Sequence, residues 1–587
     1  MPNKKISTLS ELTAPVSGDW VPIVDTSAGT TKKIDIANLS VYINAGMYGI
    51  DATGVAESTT EFQAAAAALD NTLGGTILIP PGTYVAEDIP LDTGTPGFAP
   101  IQWIGSGDGS TQITLPSSPS ASMFVLSTTG NIAGGCVRDM ELVGDGTVAP
   151  TAAMEPDEYD ATEDCIDMSS GAEVENFFVD GCYIHGFRRG YNAEASSRSP
   201  TFGNNRWWGN QTAVFIQSEH PLWSGVNDIR YNYYGISGDS CFDMICNNQK
   251  INYNYYGVMM TSTGSINTCH FSGTSLFKNK KIGIDFDGHR NTHQNSLVVP
   301  NDNPAISTIT TSGDILTITT STAHFMEVGD SVVFFETTGL TGASNDTEYT
   351  VTARTSSTVF TIDVGSAVSG SASDGWIATS LCEWRLNGSN NFITNNMIRD
   401  SANGRNGLGI VLFRGSSLSQ WHKVSGNQFY GYSGSGAHKV TAIVVDVSGS
   451  NAIDGVQIVN NTFIDMGQAI RDLQGRLDRC TISSNTAYIF YTPGPGAGRD
   501  LYEILNTTYG NIFTDNFMYL TSTTSTGQYL LNIDSSRSVI RNNVVRYDAS
   551  EYTAAFNISG YGAGDTLGVA GNGNITSSNA DNSITSF

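Results

Sequence analysis

Charge is scarce in this chain. Asp, Glu, Lys and Arg make up 14% of its 587 residues, against the ~25% of an average soluble domain. Positive charge is scarcer still: 29 Lys and Arg face 56 Asp and Glu, for a net charge of −27. A surface of that sign repels phosphate backbones and anionic membranes, so nucleic acid is not an expected partner. Proline is rare, at 18 residues, and no apolar run approaches the ~20 residues that span a bilayer. Lys4 and Lys5 near the start have no apolar core behind them, so the opening does not read as a secretory signal. The expectation is a protein that folds where it is made, without membrane insertion. Eight cysteines are scattered singly, with no C-x-x-C pair, and Cys241 and Cys246 lack a matching histidine set. Buried free thiols are expected, and neither a metal site nor another cofactor.

What the chain has instead is glycine, 63 residues of it, with many Ser, Thr and Asn and 39% hydrophobic residues. Long helices are disfavoured, and disorder is excluded for most of the length. A short motif recurs, an apolar pair followed by Asn and another apolar or aromatic residue. Its Asn falls at Asn396, Asn427, Asn461, Asn485, Asn516 and Asn543, 24 to 34 residues apart, with earlier copies at Asn232 and Asn254. Short alternating strands such as GIDFDG, GIVLFRG and AIVVDVSG lie between. A period of ~20–35 residues with short strands is the mark of a solenoid. Asn at equivalent corners tolerates left-handed backbone and can stack its amide from turn to turn. The fold class is all-β, a right-handed parallel β-helix; a two-sheet sandwich would give strands without this Asn register.

The entrance has its own order. Tyr48-Gly49-Ile50-Asp51-Ala52-Thr53-Gly54-Val55 precedes an Ala-rich amphipathic stretch, Glu61 to Leu69, which reads as a helix with a Thr at its N-cap. Gly74-Gly75-Thr76-Ile77-Leu78-Ile79-Pro80-Pro81-Gly82-Thr83-Tyr84 follows. This string resembles the opening of pectate-lyase-like β-helices, which implies a short N-terminal helix capping the open core. It departs from the usual form at Asp51-Ala52-Thr53-Gly54. Residues 1–40, with Lys4-Lys5-Ile6-Ser7 and Thr31-Lys32-Lys33-Ile34, resemble the short N-terminal segment of bacteriophage structural proteins, tailspikes included. That implies attachment to a phage tail or baseplate protein.

Residues 303–380 break the coil. They are Ser/Thr-rich with their own strands, and Ala323-His324-Phe325 to Val328-Gly329-Asp330 resembles β-modules inserted in phage and surface proteins. A rigid spacer and a sugar-binding module are both open. The organisation is a segment 1–40, a first coil part 41–302, an inserted small β-domain 303–380, and a second coil part 381–587.

Chemistry is sought on the outer face. Sugar rings stack on Tyr and Trp, so Trp207, Trp208, Trp223, Tyr233, Tyr234, Tyr255 and Tyr256 are candidate glycan contacts, with core or interface as the alternative for each. On Ile282-Gly283-Ile284-Asp285-Phe286-Asp287-Gly288, alternation turns the apolar residues in and Asp285 and Asp287 out, ~6.5–7 Å apart. That is the lower edge of the separation inverting glycosidases use. Aligning Gly288 with Gly388 stacks Arg385 over Asp285 and Asn387 over Asp287, with Glu383 diagonal from Asp285. Asp285, Asp287, Glu383, Arg385 and His289 then form a candidate acid/base cluster, with Arg290 as a substrate contact. A solvated face with a cross-turn ion pair is the plainer reading. The acidic run Glu155 to Asp164 lacks Ca²⁺-loop spacing. His220 with Glu219, Arg230 and Tyr231 is a weaker lyase-type set.

The combined resemblance implies a tailspike, a homotrimeric β-helix on the virion that binds and hydrolyses a bacterial surface polysaccharide. Capsule, O-antigen and exopolysaccharide all remain open as the glycan. A polysaccharide lyase on the same fold and a non-catalytic receptor-binding tail protein are the alternatives. Val411, Phe413 and Val444, placed outward by alternation, are the expected apolar interface of the trimer.

Overall fold

The computed structural model describes residues 20–25, 30–35 and, with interruptions, 42–576; longer stretches outside the description include 1–19, 147–158, 400–407, 432–440, 490–501 and 577–587. The chain forms two compact units, residues 1–147 with 161–206, and residues 148–160 with 207–587. Both are right-handed parallel β-helix. Of the 1–40 segment, only an antiparallel pair is described, Trp20–Asp25 with Thr30–Asp35.

In the first unit, Gly75–Leu78, Ile101–Ile104, Cys136–Arg138 and Phe178–Asp180 stack as successive parallel strands of one sheet. Gly82–Val85, Thr111–Thr114, Glu141–Val143 and Tyr183–His185 stack in another. The expected helix is present at Thr59–Ala67 and buries Phe62, Ala65 and Ala66. Phe62 meets Tyr84 and Trp103 edge-on, each at 5.8 Å between ring centroids. Its N-cap is Ser58 rather than a threonine, and that side chain makes no capping bond. Ser58 Oγ instead accepts from Asp51 N–H at 2.8 Å. Asp51 holds the departing Asp-Ala-Thr-Gly turn by itself. Its carboxylate accepts from Thr53 N–H, Thr53 Oγ1, Val55 N–H and Ala56 N–H. Those bonds, the Thr53 hydroxyl foremost, lower its pKa to about 2.

In the second unit each turn supplies one strand to each of three sheets. Ile282–His289, Thr292–Gln294 and Leu297–Val299 make one turn. Cys382–Ser389, Phe392–Thr394 and Met397–Arg399 make the turn that pairs onto it. Between them, residues 306–379 form a six-stranded antiparallel sheet whose described strands pair with one another. It has its own core of Ile309, Leu316, Ile318, Val332, Phe334, Phe360 and Ile377. Removing that insert from the chain path leaves the coil's register unbroken.

The recurring Asn is the spine of the coil. From Asn396 to Asn543, each Asn donates its backbone N–H and its Nδ2 to Oδ1 of the Asn one turn on. Asn232 and Asn254 belong to a second such ladder. The left-handed backbone, expected at these Asn, sits one residue earlier, for example at Asn395, Asn460, Ser484 and Asp515. The division is physical: the left-handed residue turns the chain, and the next one is thereby aimed inward with its amide among main-chain groups.

Seven cysteines are described, all free and buried. Burial pushes the Cys136 thiol up to about 11 and the Cys480 thiol up to about 12. The Cys382 side chain lies outside the described residues. Among described residues no helix is long and apolar enough to cross a membrane. Val444 is corrected: it is buried within the single chain, packed in a cluster with Tyr255, Tyr256 and Ile282. The side chains of Val411 and Phe413 lie outside the described residues.

Candidate functional site

The strand Ile282–His289 pairs in parallel with Cys382–Ser389, placing Asp285 opposite Arg385, Asp287 opposite Asn387 and His289 opposite Ser389. That is the register which the glycine alignment implies. Arg385 Nη2 contacts Asp285 Oδ2, and Asn387 Nδ2 donates to Asp287 Oδ1 at 3.0 Å. His289 is exposed; its Nδ1 accepts from Ser389 N–H at 3.1 Å and lies 2.8 Å from Ser389 Oγ. Arg290, next along, is exposed at a corner. The side chain of Glu383 lies outside the described residues.

One expectation fails here. Asp285 is outward by alternation yet only 3% of its side chain is exposed. In stacked turns an outward side chain has neighbours ~4.8 Å above and below, Arg385 among those of Asp285, so alternation sets direction but not exposure. One of its oxygens, Oδ1, has no hydrogen-bond partner among the described residues. The half-buried Asp287 and the exposed His289 are the reachable members of the row. Asp285→Asn is therefore not a silent change. It leaves Arg385 facing a neutral amide in a buried setting, with an expected loss of about 2 kcal/mol, against under about 0.5 kcal/mol for Asp287→Asn. Urea midpoints of the two variants check this; equal midpoints would show that the pair contributes nothing.

The aromatic candidates divide. Trp207 and Trp223 are fully buried in the coil and are corrected from glycan contacts to core. Trp208 is half-buried at the outer face, with Arg230 Cζ 5.5 Å from its ring centroid and Tyr231 edge-on at 6.0 Å. Tyr233, Tyr234, Tyr255 and Tyr256 form one cluster, but the inserted domain closes over it. Tyr233 OH donates to Glu327 Oε1 at 2.7 Å and Tyr256 OH to Glu327 Oε2 at 3.2 Å. Lys281 Nζ lies 2.6 Å from Glu327 Oε2 and 2.9 Å from Asp330 Oδ1. Tyr255 OH donates to the Phe325 carbonyl. Tyr255 and Tyr256, both buried, are therefore anchors for the insert and not open platforms. A phenol in an apolar setting needs a partner for its hydroxyl, and Glu327 supplies one. Burial first, and then the Glu327 carboxylate, raise the Tyr256 phenol well above its ordinary range.

The His220 set does not converge. His220 sits at a corner 3.4 Å from Asp243, while Arg230 ends a strand of another sheet and holds Asp228 at 2.5 Å. Glu155, Pro156, Asp157 and Glu158 lie outside the described residues.

Two groups escaped the sequence reading. In the first unit, His185 Nε2 lies 3.1 Å from Glu141 Oε1, with Tyr183 at 4.5 Å between ring centroids. Arg206 stands 4.1 Å over the Tyr183 ring and 2.5 Å from Asp108. Burial lowers the His185 pKa, against the pull of Glu141. In the second unit a ridge of left-handed corner residues runs from turn to turn: Arg290, Asn390, Trp421, Gly455 and Arg479. Each of the first four donates its N–H to a carbonyl of the following turn, at 2.8 to 3.0 Å. The pairs Arg290-Asn291, Asn390-Asn391 and Trp421-His422 could have marked it, had the residue before each Asn or His been compared.

No family model and no curated protein sequence matches the chain. Solved structures do. A tailspike protein of the E. coli bacteriophage HK620 is 11% identical, with a TM-score of 0.41, covering 94% of this chain and 84% of its own. A tailspike protein of bacteriophage CBA120 is 9% identical, with a TM-score of 0.36, covering 96% of this chain and 65% of its own. The A-module of a mannuronan C-5 epimerase from Azotobacter vinelandii is 11% identical, with a TM-score of 0.29, covering 91% of this chain and 99% of its own. The chain thus resembles tailspike β-helices. At such identities the likeness concerns fold alone, and the fold already rests on the strand pairings above. Among the described residues no group of three His, Cys, Asp or Glu is placed to hold a metal ion.

Proposed function

We propose that this chain is a tailspike-type protein that binds a bacterial surface polysaccharide along its stacked outer faces and cleaves it by hydrolysis. The observation that carries the reading is the outward row of Ile282–His289. The half-buried Asp287 and the exposed His289 stand two residues apart on one strand face, ~6.5–7 Å by strand rise. The two are held from the next turn by Asn387 and Ser389. In this reading Asp287 is the general acid, and His289 or Glu383 activates water. Asp285 with Arg385 is a positioning pair, since its carboxylate is closed off from solvent. Sugar rings would meet the row from outside, where Arg290 is exposed.

A second reading has its own support. Asp285 is engaged by Arg385 and Asp287 by Asn387, which suits a spike that holds glycan without cutting it. A homotrimer and tail attachment through residues 1–40 belong to the same proposal. The apolar residues that support association are Leu222 and Ile245, stacked in register and 40–42% exposed, and Leu297 and Met397, likewise stacked and 42–47% exposed. Light scattering reads the trimer, and particle incorporation of a chain lacking residues 1–40 reads the attachment.

The deciding experiment is mass spectrometry of host polysaccharide after incubation with the protein. Products carrying added water support hydrolysis, unsaturated ends mean a lyase, and intact polymer that remains bound means a binder. Asp287→Asn should lose about 10²–10⁴ in rate with binding kept. His289→Asn and Glu383→Gln identify its counterpart. Wild-type turnover in Asp287→Asn would place the chemistry elsewhere.

A further inference from the structure

The ridge of corner residues holds a feature that turn geometry alone does not require. Trp421 has a left-handed backbone, φ 57°, a conformation bulky side chains adopt at a cost of order 1 kcal/mol and which clusters at functional positions. Its side chain is not thereby buried: Trp421 is 50% exposed. The indole lies against Gly455 of the next turn, where a Cβ would meet the ring at 2.4 Å. Gly455 thus lets one face of the ring rest flat on the coil while part of the indole stays open to solvent. Other aromatic residues with this backbone are used internally, Tyr231 stacked with Tyr253 at 5.6 Å and Phe325 against Tyr255 at 6.1 Å. The Trp421 ring has no aromatic partner among the described residues.

Two turns earlier on the same ridge stands Arg290, also left-handed, φ 60°. In this unit Arg230, Arg385 and Arg479 each hold an aspartate. The exposed Arg290 guanidinium has no hydrogen-bond or ion-pair partner among the described residues. Arg399 and Arg541 are likewise exposed and without such a partner among the described residues, but Arg290 is the one that stands on this ridge. Two turns are ~10 Å, so one short oligosaccharide can touch both side chains. An apolar platform takes the C–H face of a sugar ring, and a guanidinium takes a carboxylate in a charge-assisted pair.

We propose that the ridge of Arg290, Asn390, Trp421 and Gly455 is a binding track for an acidic glycan, with Trp421 as the ring platform and Arg290 as the cation for its carboxylate. The proposal rests on the polysaccharide reading above and narrows it to a class of polymer. A neutral glycan leaves the guanidinium unused, and a long anionic polymer needs such a local cation to approach so acidic a protein.

The test is affinity electrophoresis of the full chain in gels containing polygalacturonate, hyaluronan or alginate, with dextran and carboxyl-reduced polygalacturonate as neutral comparisons. Trp421→Asn keeps a residue that tolerates the left-handed corner, and Arg290→Gln changes an exposed side chain; melting curves confirm that both fold. The expected result is retardation by at least one acidic polymer, weakened about tenfold in each variant and absent with the neutral polymers. Variants that bind like wild type overturn the track. Equal retardation by the carboxyl-reduced polymer overturns the acidic class, and so does the absence of retardation by all three acidic polymers. The two readings fail separately. Host polysaccharide that is bound but left uncut removes hydrolysis and leaves the track; host polysaccharide cut normally by both variants removes the track and leaves hydrolysis.

Discussion

Asn427→Asp, a change of one atom type in a buried amide, is expected to lower the urea midpoint by about 1 M or more, or to prevent soluble folding. Asn427 is fully buried and its amide is fully used. Its Nδ2 donates to the Ile393 carbonyl at 2.8 Å and to Asn461 Oδ1 at 3.1 Å. Its Oδ1 accepts from Asn396 N–H at 2.9 Å and from Asn396 Nδ2 at 3.1 Å. An aspartate can accept the last two but cannot donate the first two. Two acceptors, Ile393 O and Asn461 Oδ1, then face a carboxylate in a site closed to water. Asn461 Oδ1 keeps only the Asn427 N–H, at 3.0 Å. Each buried hydrogen bond lost in this way costs about 1–3 kcal/mol, so the total is several kcal/mol of the ~5–15 kcal/mol that a domain has. Asn460→Asp is the matched control. That residue, which precedes the ladder member Asn461, is exposed at the left-handed corner, where Asp is tolerated as well as Asn, and the expected change is under about 0.5 kcal/mol. Equal midpoints for the two variants would mean that the ladder is not what holds successive turns together.

Acid should unfold the second unit well before its carboxylates are all protonated. His293 and His422 are buried in the coil, and burial lowers each imidazole to about 3, with the charge of His289 adding to the effect at His422. Trp384 Nε1 donates to His293 Nδ1 at 3.2 Å, and His422 Nε2 lies 2.8 Å from Ser419 Oγ. The other nitrogen of each ring has no partner among the described residues. In the unfolded chain both titrate near ~6.5. Above that pH both states hold neutral rings and these groups add no pH dependence. Below it the unfolded state takes up protons that the folded state refuses, so stability falls with pH from ~6.5 down to the folded value near 3. The slope is about 1.4 kcal/mol per pH unit for each ring, about 3 kcal/mol for the pair. Urea midpoints between pH 7 and pH 4 should fall accordingly. His422→Asn, which places at this corner the residue found at Asn291 and Asn391, should remove about 1.4 kcal/mol per pH unit of the slope; His324, lowered by burial to about 4, adds its own share above that pH. A midpoint that stays level down to pH 4.5, or a slope unchanged in the variant, would sink the argument.

The coil was legible because it is repetitive. A parallel β-helix asks the same thing of every turn: an apolar residue inward, a left-handed corner, and then an amide that can bridge turns. Repetition turns that demand into a period, visible from Asn396 to Asn543 without coordinates. The pairing of Asp285 with Arg385 and Asp287 with Asn387 was legible for the same reason, since a glycine alignment fixes the register of stacked strands. The inserted domain showed itself as a break in the period. Its attachment did not show, because Glu327 and Lys281 are 46 residues apart and no periodicity links them.

Three matters were decided only by the tertiary structure. Exposure was one: Asp285 points outward and is still buried, because the neighbours in adjacent turns cover it, and alternation carries no information about them. Aromatic roles were another. Trp207 and Trp208 are adjacent in sequence and fall on opposite faces of one strand, while Tyr255 and Tyr256 are covered by a loop some 70 residues away. The third was the ridge that joins Arg290 to Trp421. Those residues are separated by an entire inserted domain, and only the stacking of turns at ~4.8 Å brings them onto one line. Composition, period and strand register determined what this protein is built from; which side chains reach solvent together depended on the distances between turns.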